Sequence, residues 1–104
     1  MALCLIESGC LSHRMSTPNK MMEAFAAGVP ALCSPLAEAR RYLGDQAVRW
    51  VLEDPCRDLV DALERITRAD VEAFTAPEIP SWEEGATRLR EAYERALASK
   101  RARR

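Results

Sequence analysis

Residues 16–30 read STPNKMMEAFAAGVP, and this stretch decides the fold because it predicts a helix with both of its ends marked. Thr17 is suited to cap the helix. Pro18 is suited to be its first residue, because proline lacks the amide hydrogen that would have no partner at that position. Gly28 is well placed to end the helix, which is predicted to span 18–27. The apolar residues fall one turn apart in pairs and form a stripe that can cover a sheet: Met21, Met22, Phe25 and Ala26.

Short apolar runs lie on both sides of this helix. Residues 2–6, 29–33 and 48–52 are bounded mainly by Gly, Pro, Ser or Asp, a pattern that predicts three strands. Strands that alternate with helices are typical of β-α-β units, in which helices cover a parallel sheet. The predicted fold class is therefore α/β, with a partial Rossmann-like parallel sheet of about three strands, flanked by helices and with one edge left open.

Three further helices are predicted from their first residues. Ser34 and the proline after it begin a short helix that ends near Gly44, and Asp54 with its proline begins another. Ser81 and Glu84 form a capping box at the start of the last helix. One face of that helix is apolar and is predicted to join the core: Trp82, Ala86, Leu89 and Tyr93.

Composition and charge restrict the partners and the location. The formal net charge is -1 and the pI is 5.9, so the field of the whole molecule is too weak to steer nucleic acid. The apolar opening ends at Glu7, far short of the ~18 residues of a membrane span, and no basic segment precedes it as in a signal peptide. A cytoplasmic chain is predicted, with no indication of peripheral membrane contact. Its domain is predicted to span 1–97, and a basic, disordered tail to follow at 98–104.

The cysteines and the only histidine are weak candidates for chemistry. The cysteines include no C-x-x-C pair and are predicted to be thiols that act as small buried apolar side chains: Cys4, Cys10, Cys33 and Cys56. His13 follows Cys10 in a C-x-x-H arrangement, but a zinc site needs a second pair of ligands, so no metal is predicted. The sequence also lacks the glycine-rich loops of dinucleotide and ATP sites and the G-x-S-x-G turn of hydrolases.

The predicted start of the first helix has a chemical meaning of its own. A helix N-terminus presents unpaired N–H groups and a partial positive charge, and in an open α/β sheet it faces the crevice where ligands bind. Such an end suits a phosphate. Hydroxyl, amide and ammonium groups are available there from four residues: Ser16, Thr17, Asn19 and Lys20. Glu23 can accept two hydrogen bonds from a vicinal diol such as a ribose, although the spacing also fits an exposed ion pair with Lys20.

The stretch 16–30 resembles the signature of group 1 glycosyltransferases, S-x-P-x-K-x-x-E-x-x-A-x-G-x-P. Ser34 and Glu38-Ala39-Arg40 resemble that family's turn after the next strand. Residues 81–97 are similar to its closing helix. The two main landmarks occur in the family's order, and the resemblance extends over residues 14–97.

The resemblance implies the C-terminal, donor-binding half of a GT-B enzyme that transfers a sugar from a nucleotide-sugar with retention of configuration. Glu23 is then expected to hold the ribose, and residues 16–20 to cradle the diphosphate or the sugar. The nucleotide-sugar is a substrate, and no cofactor is implied. Met15 stands where the E-x7-E version of the motif has its first glutamate, so Ser16 matches the serine variant instead.

Two parts of the family's machinery have no counterpart in these 104 residues: the basic pair for the diphosphate and the acceptor domain. Because the loss of one preorganised donor can cost about 100-fold in rate, the isolated chain is predicted to be inactive. Either the gene is truncated or split, or the chain works with a separate N-terminal glycosyltransferase half as its partner, and the sequence leaves both open. The alternative hypothesis is a small non-catalytic α/β binding or interaction module. The donor base and sugar, the acceptor and the oligomeric state stay open at this point.

Overall fold

The structure is a computed structural model that describes residues 1–7 and 9–104. Two strands, seven α-helices and one 3-10 turn succeed one another along these residues. In chain order they are β1 (Ala2–Cys4), α1 (Leu11–Arg14), α2 (Asn19–Ala26), β2 (Ala31–Cys33), α3 (Ala37–Leu43), the 3-10 turn Gly44–Gln46, α4 (Ala47–Trp50), α5 (Pro55–Arg65), α6 (Arg68–Ala73) and α7 (Trp82–Ala102). The α/β class predicted from the sequence is confirmed.

The sheet consists of two parallel strands. β1 pairs with β2, with Ala2, Leu3 and Cys4 in register with Ala31, Leu32 and Cys33. A third segment contributes a single parallel bridge, since Val51 pairs with Cys33. The strand predicted at 48–52 is therefore reduced to one paired residue.

The physical reason for this difference lies in the residues before the bridge. Ala47 and Trp50 are both buried, three residues apart on one side of α4, while Val48 between them is 92% exposed. An apolar run of this length fits either a strand or a helical turn, and here helical spacing allows both buried side chains to face the core.

α2 begins one residue later than predicted. Pro18 is the N-cap, with extended backbone angles (φ -65°, ψ 132°), and its carbonyl accepts the first helical hydrogen bond, from Met22 at 3.2 Å. Thr17 does not cap the helix through its side chain. At the other end, Gly28 has φ 72°, which glycine adopts without strain, and its N–H donates to Phe25 at 3.0 Å. The prediction that Gly28 ends this helix is confirmed.

The core lies where α2 and the segment after α6 meet the sheet. Phe25 is almost completely buried, and its ring lies 6.0 Å from the ring of Phe74. Trp50 contacts the same Phe74 edge to face at 5.8 Å. Leu32 of β2 and Leu36 before α3 have no exposed surface. These side chains hold α2 in place against the two strands.

Two predicted helix starts are confirmed, and at both of them a side chain caps the helix. Asp54 caps α5, accepting a hydrogen bond from the N–H of Arg57 at 3.2 Å. Ser81 and Glu84 form the predicted capping box of α7. The predicted start of α3, at Ser34 and the proline after it, is wrong. Ser34 is buried in the turn after β2, and the helix begins only at Ala37.

α6 and α7 differ from the prediction in opposite ways. α6 was not predicted, although Thr67 and Asp70 form a complete capping box at its start. α7 was predicted to join the core, yet none of its residues is buried and Trp82 is 92% exposed. α7 also continues to Ala102, whereas a disordered tail was predicted from residue 98. Alanine, lysine and arginine favour helix, and basic residues at a helix C-terminus are stabilised by its dipole.

The molecule measures 63 × 30 × 20 Å. In the described parts of the chain, none of the helices combines the length and the apolar character needed to cross a membrane.

Candidate functional site

The first turn of α2 lies at the carboxyl end of β1, as the sequence predicted. Cys4, the last residue of that strand, is buried, and burial raises the pKa of its thiol. A hydrogen bond from the backbone of Met21 and the charge of Lys20 offset part of this rise, so both groups are close to the sulfur. In residues 1–7 and 9–104, the amides of Asn19 and Lys20 donate to no acceptor. They are available to an anion above this end of the helix.

Ser16 is used for local structure. Its hydroxyl donates to the carbonyl of His13 at 2.8 Å, and its backbone N–H donates to the same carbonyl at 3.2 Å. His13 in turn bonds through Nδ1 to the carbonyl of Glu7 at 3.0 Å. Ser16 therefore closes the end of α1, and its oxygen lone pairs remain for a donor. Thr17 is exposed beside it.

Glu23 points away from the sheet. Met21 and Phe25 are buried against the strands, and at 3.6 residues per turn Glu23 lies about 160° around the helix from each of them. The side chain is exposed, and it forms no ion pair with any residue of the described chain. The alternative interpretation, an ion pair with Lys20, is thus not realised in this structure.

A cleft of about 670 Å³ opens at the carboxyl ends of the strands. The segments that follow β1, β2 and Val51 line it, together with the start of α5. At its floor the buried hydroxyl of Ser34 accepts a hydrogen bond from the N–H of Ile6 at 2.7 Å. Glu53 and Asp54 add carboxylates to the wall. The five residues predicted to bind the donor do not line this cleft.

A second, shallower cleft of about 370 Å³ lies beside it, between α1 and the start of α3. Arg14 and Arg40 contribute guanidinium groups, and Met15 forms part of the wall next to Ser16. Arg40 also forms an exposed ion pair with Glu53. This cleft can attract an anion, whereas the larger cleft cannot do so as readily. Neither arginine was predicted as a site residue, although Arg40 belongs to the segment Glu38-Ala39-Arg40, which resembles the family's turn.

Protein-family models, curated proteins and solved structures contain no match to this chain. The predicted donor residues lie in the β1-α2-β2 unit, and Ser16 among them follows Met15, which lies in the wall of the smaller cleft.

The cysteines divide into two pairs. Cys4 and Cys33 are buried side by side in the sheet, and burial together with the neighbouring Cys4 raises the pKa of the Cys33 thiol to about 12. Cys10 and Cys56 are exposed, which corrects the prediction that all four fill the core. A thiol needs to be deprotonated to act as a nucleophile, so the buried pair is unreactive. In the described residues, no group of three or more His, Cys, Asp or Glu side chains is arranged to hold a metal ion.

Proposed function

We propose that this chain is the donor-binding, C-terminal portion of a retaining GT-B glycosyltransferase that works in the cytoplasm. The supporting observation is that the S-x-P-x-K-x-x-E run occupies a β1-α2-β2 unit whose helix starts at the carboxyl end of a parallel strand. In open α/β sheets this is where phosphorylated ligands bind. In the proposed whole enzyme, the short sheet continues as a Rossmann-like sheet and the segment at Val51 is its third strand.

The diphosphate of the nucleotide-sugar would lie at the start of α2. Two unpaired amides, those of Asn19 and Lys20, and the ammonium group of Lys20 supply donors and positive charge there. Thr17 adds a hydroxyl donor, whereas the Ser16 hydroxyl already donates to His13 and offers only lone pairs, which suit a hydroxyl group of the sugar. Arg14 in the adjacent cleft adds a second cation. Such groups stabilise the negative charge of a departing nucleoside diphosphate, which is the central need of the reaction.

Glu23 is proposed to accept the two hydroxyl groups of the ribose. Its carboxylate is exposed and is not engaged with another described side chain, so both oxygens are available. Because Glu23 faces away from the sheet, a second body has to close the space around it. We propose that a separate N-terminal half provides that wall together with the acceptor site. The isolated chain should then bind a nucleotide without transferring a sugar.

Calorimetric titration tests this function. The full chain is titrated with UDP, GDP and ADP and with one diphospho-sugar of each base. Saturable binding to one series is expected, and Glu23→Ala should weaken it roughly 10-fold or more, as expected for lost hydrogen bonds to a charged group. Glu64→Ala is the matched control, since Glu64 is also an exposed helical glutamate, and it should leave the affinity unchanged.

The alternative is a small non-catalytic α/β binding or interaction module. It is favoured by one specific observation: the predicted donor residues do not converge on the larger cleft, whose wall carries Glu53 and Asp54. Carboxylates in that position repel phosphate. No saturable binding at millimolar nucleotide, by a chain with an intact near-ultraviolet circular dichroism spectrum, would support this module and contradict the glycosyltransferase proposal.

A further inference from the structure

α7 is a long helix that the rest of the chain hardly covers. It runs over 21 residues, Trp82–Ala102, about 31 Å at 1.5 Å per residue, and none of these residues is buried. Near its start Glu84 and Arg88 line a small cleft with Arg41 and Tyr42 of α3. This is the side of α7 that faces the body of the molecule.

An apolar stripe follows the other side of α7. Large side chains on it are exposed: Trp82 by 92%, Leu89 by 57% and Tyr93 by 64%. Counted from Trp82, the positions alternate in steps of four and three residues: Trp82, Ala86, Leu89, Tyr93 and Ala96, followed by Lys100 in the last turn. Leu97, which is 58% exposed, lies beside this stripe. This 3.5-residue repeat is typical of a seam between two helices. Tyr93 lies about 180° around the helix from Glu84, so the stripe faces away from the body.

Charge along α7 indicates the direction of a partner helix. Its first turn is acidic, with Glu83 and Glu84, and its last turn is basic, with Lys100 and Arg101. Two copies of this helix side by side in the same direction would place like charges together. In opposite directions the acidic start of each copy lies next to the basic end of the other, and the charges attract.

We propose that α7 pairs with α7 of a second copy of this chain, antiparallel and along this stripe. The repeat fixes the register. Leu89 of each copy lies against Tyr93 of the other at the centre, and the alanines at 86 and 96 face each other in the next layers. At each end Trp82 lies against Lys100 of the second copy, whose stem covers the indole ring while its ammonium group reaches the ring face.

Small residues beside the seam allow the helices to approach closely. Gly85, Ala92 and Ser99 are spaced by seven residues along one flank of the stripe. In the proposed register Gly85 of one copy lies near Ser99 of the other. This inference does not depend on the glycosyltransferase proposal, since it involves no residue of the nucleotide site.

Sedimentation velocity on the full chain tests the pairing. Over a range of about 1 to 500 µM, mass action should convert monomer to dimer. Leu89→Glu with Tyr93→Glu places charges in the seam and should leave a monomer over the whole range. Thr87→Glu with Ala98→Glu adds the same charges outside the seam and should dimerise like the parent chain. A parent chain that stays monomeric throughout, or that dimerises equally well with charges in the seam, would overturn the proposal.

Cross-linking tests the direction, and it does not depend on whether the seam variants fold. In a background with Cys10→Ser and Cys56→Ser, Gly85→Cys and Ser99→Cys are made as two separate chains. A Cβ added at Gly85 has no other atom of the described residues within 4 Å, apart from its own helix backbone and chain neighbours. Antiparallel pairing predicts disulfide-linked dimers in the mixture only, since positions 85 and 99 are about 21 Å apart along the helix. Disulfide-linked dimers that form in each variant on its own, and not between the two variants, indicate a parallel pair and refute the proposal.

Discussion

Ser34 connects the ends of the two strands, and Ser34→Ala tests whether this connection holds the larger cleft open at its floor. The fully buried hydroxyl accepts a hydrogen bond from the N–H of Ile6 at 2.7 Å. The backbone N–H of Ser34 donates separately to the carbonyl of Cys4 at 3.1 Å. In the alanine variant this backbone hydrogen bond remains, and only the hydroxyl group that accepts from Ile6 is lost. The amide of Ile6 then has no partner among the described residues.

The size of the effect follows from the burial of that amide. A buried N–H that loses its partner costs about 1–3 kcal/mol. Ile6 is only half-buried, so water can reach the amide in part, and we expect a loss of about 1–2 kcal/mol in the free energy of unfolding. For a domain of this size a loss of about 1 kcal/mol lowers Tm by roughly 4–8 °C.

Urea unfolding measures this loss. The fluorescence of Trp50, which is buried, is followed in a Trp82→Phe background so that the exposed tryptophan does not contribute. Thr87→Ala is the control, since Thr87 is exposed on α7 outside the proposed seam, and it should change stability by no more than about 0.5 kcal/mol. Amide hydrogen exchange should accelerate at Ile6 in the Ser34 variant. A loss below about 0.5 kcal/mol with unchanged exchange at Ile6 would show that the hydroxyl does not hold the turn.

Three further outcomes are expected. Phe25→Ala should lower the free energy of unfolding by about 3–5 kcal/mol, because it empties the contact of α2 with the core; an unfolding curve within about 1 kcal/mol of the parent would contradict that packing. Gly28→Ala should cost about 1–2 kcal/mol, since alanine is strained at φ 72°, and equal urea midpoints would argue against this turn. With a thiol reagent at pH 8, Cys10 and Cys56 should react in the native chain, while Cys33, whose pKa is raised to about 12 by burial, should react only after unfolding; four fast thiols in the native state would refute the buried pair.

Much of the fold could be predicted because several element ends are decided by local chemistry. Asp54 followed by proline, the box of Ser81 and Glu84, and Gly28 each satisfy or terminate a helix without help from the rest of the chain. The apolar run at 48–52 is different. Whether this run forms a strand or a helical turn depends on which of its side chains pack in the core. Because Trp50 is buried there, the run forms a helical turn. Periodicity over so few residues does not contain that information.

The burial of α7 likewise could not be predicted from its sequence pattern. Its stripe correctly indicates an apolar face, but a stripe does not specify what covers it. The prediction that Trp82 and Tyr93 belong to this chain's core was wrong for that reason. An exposed stripe of this kind is costly in water unless another surface covers it.

The candidate site was predictable in its position along the chain and less so in its direction. Lys20 lies where the sequence placed it, near the end of β1, because helices that connect parallel strands in an open α/β sheet present one end at the strands' carboxyl edge. The direction of Glu23 could have been read from its neighbours, since apolar residues two positions away on each side put it on the outer face. The arginines at 14 and 40 come together only through the fold, so no local pattern reveals their shared cleft.

The two faces of α2 allow stability and binding to be separated. Met21 and Phe25 fix the helix in the core, whereas Glu23 contacts solvent. Replacing Glu23 should therefore leave the free energy of unfolding within about 0.5 kcal/mol of the parent chain. If nucleotide affinity falls in that variant, the loss cannot be attributed to a damaged fold. If stability falls as well, Glu23 has a structural contact that the outward geometry of α2 excludes, and the assignment of this face to a ligand loses its basis.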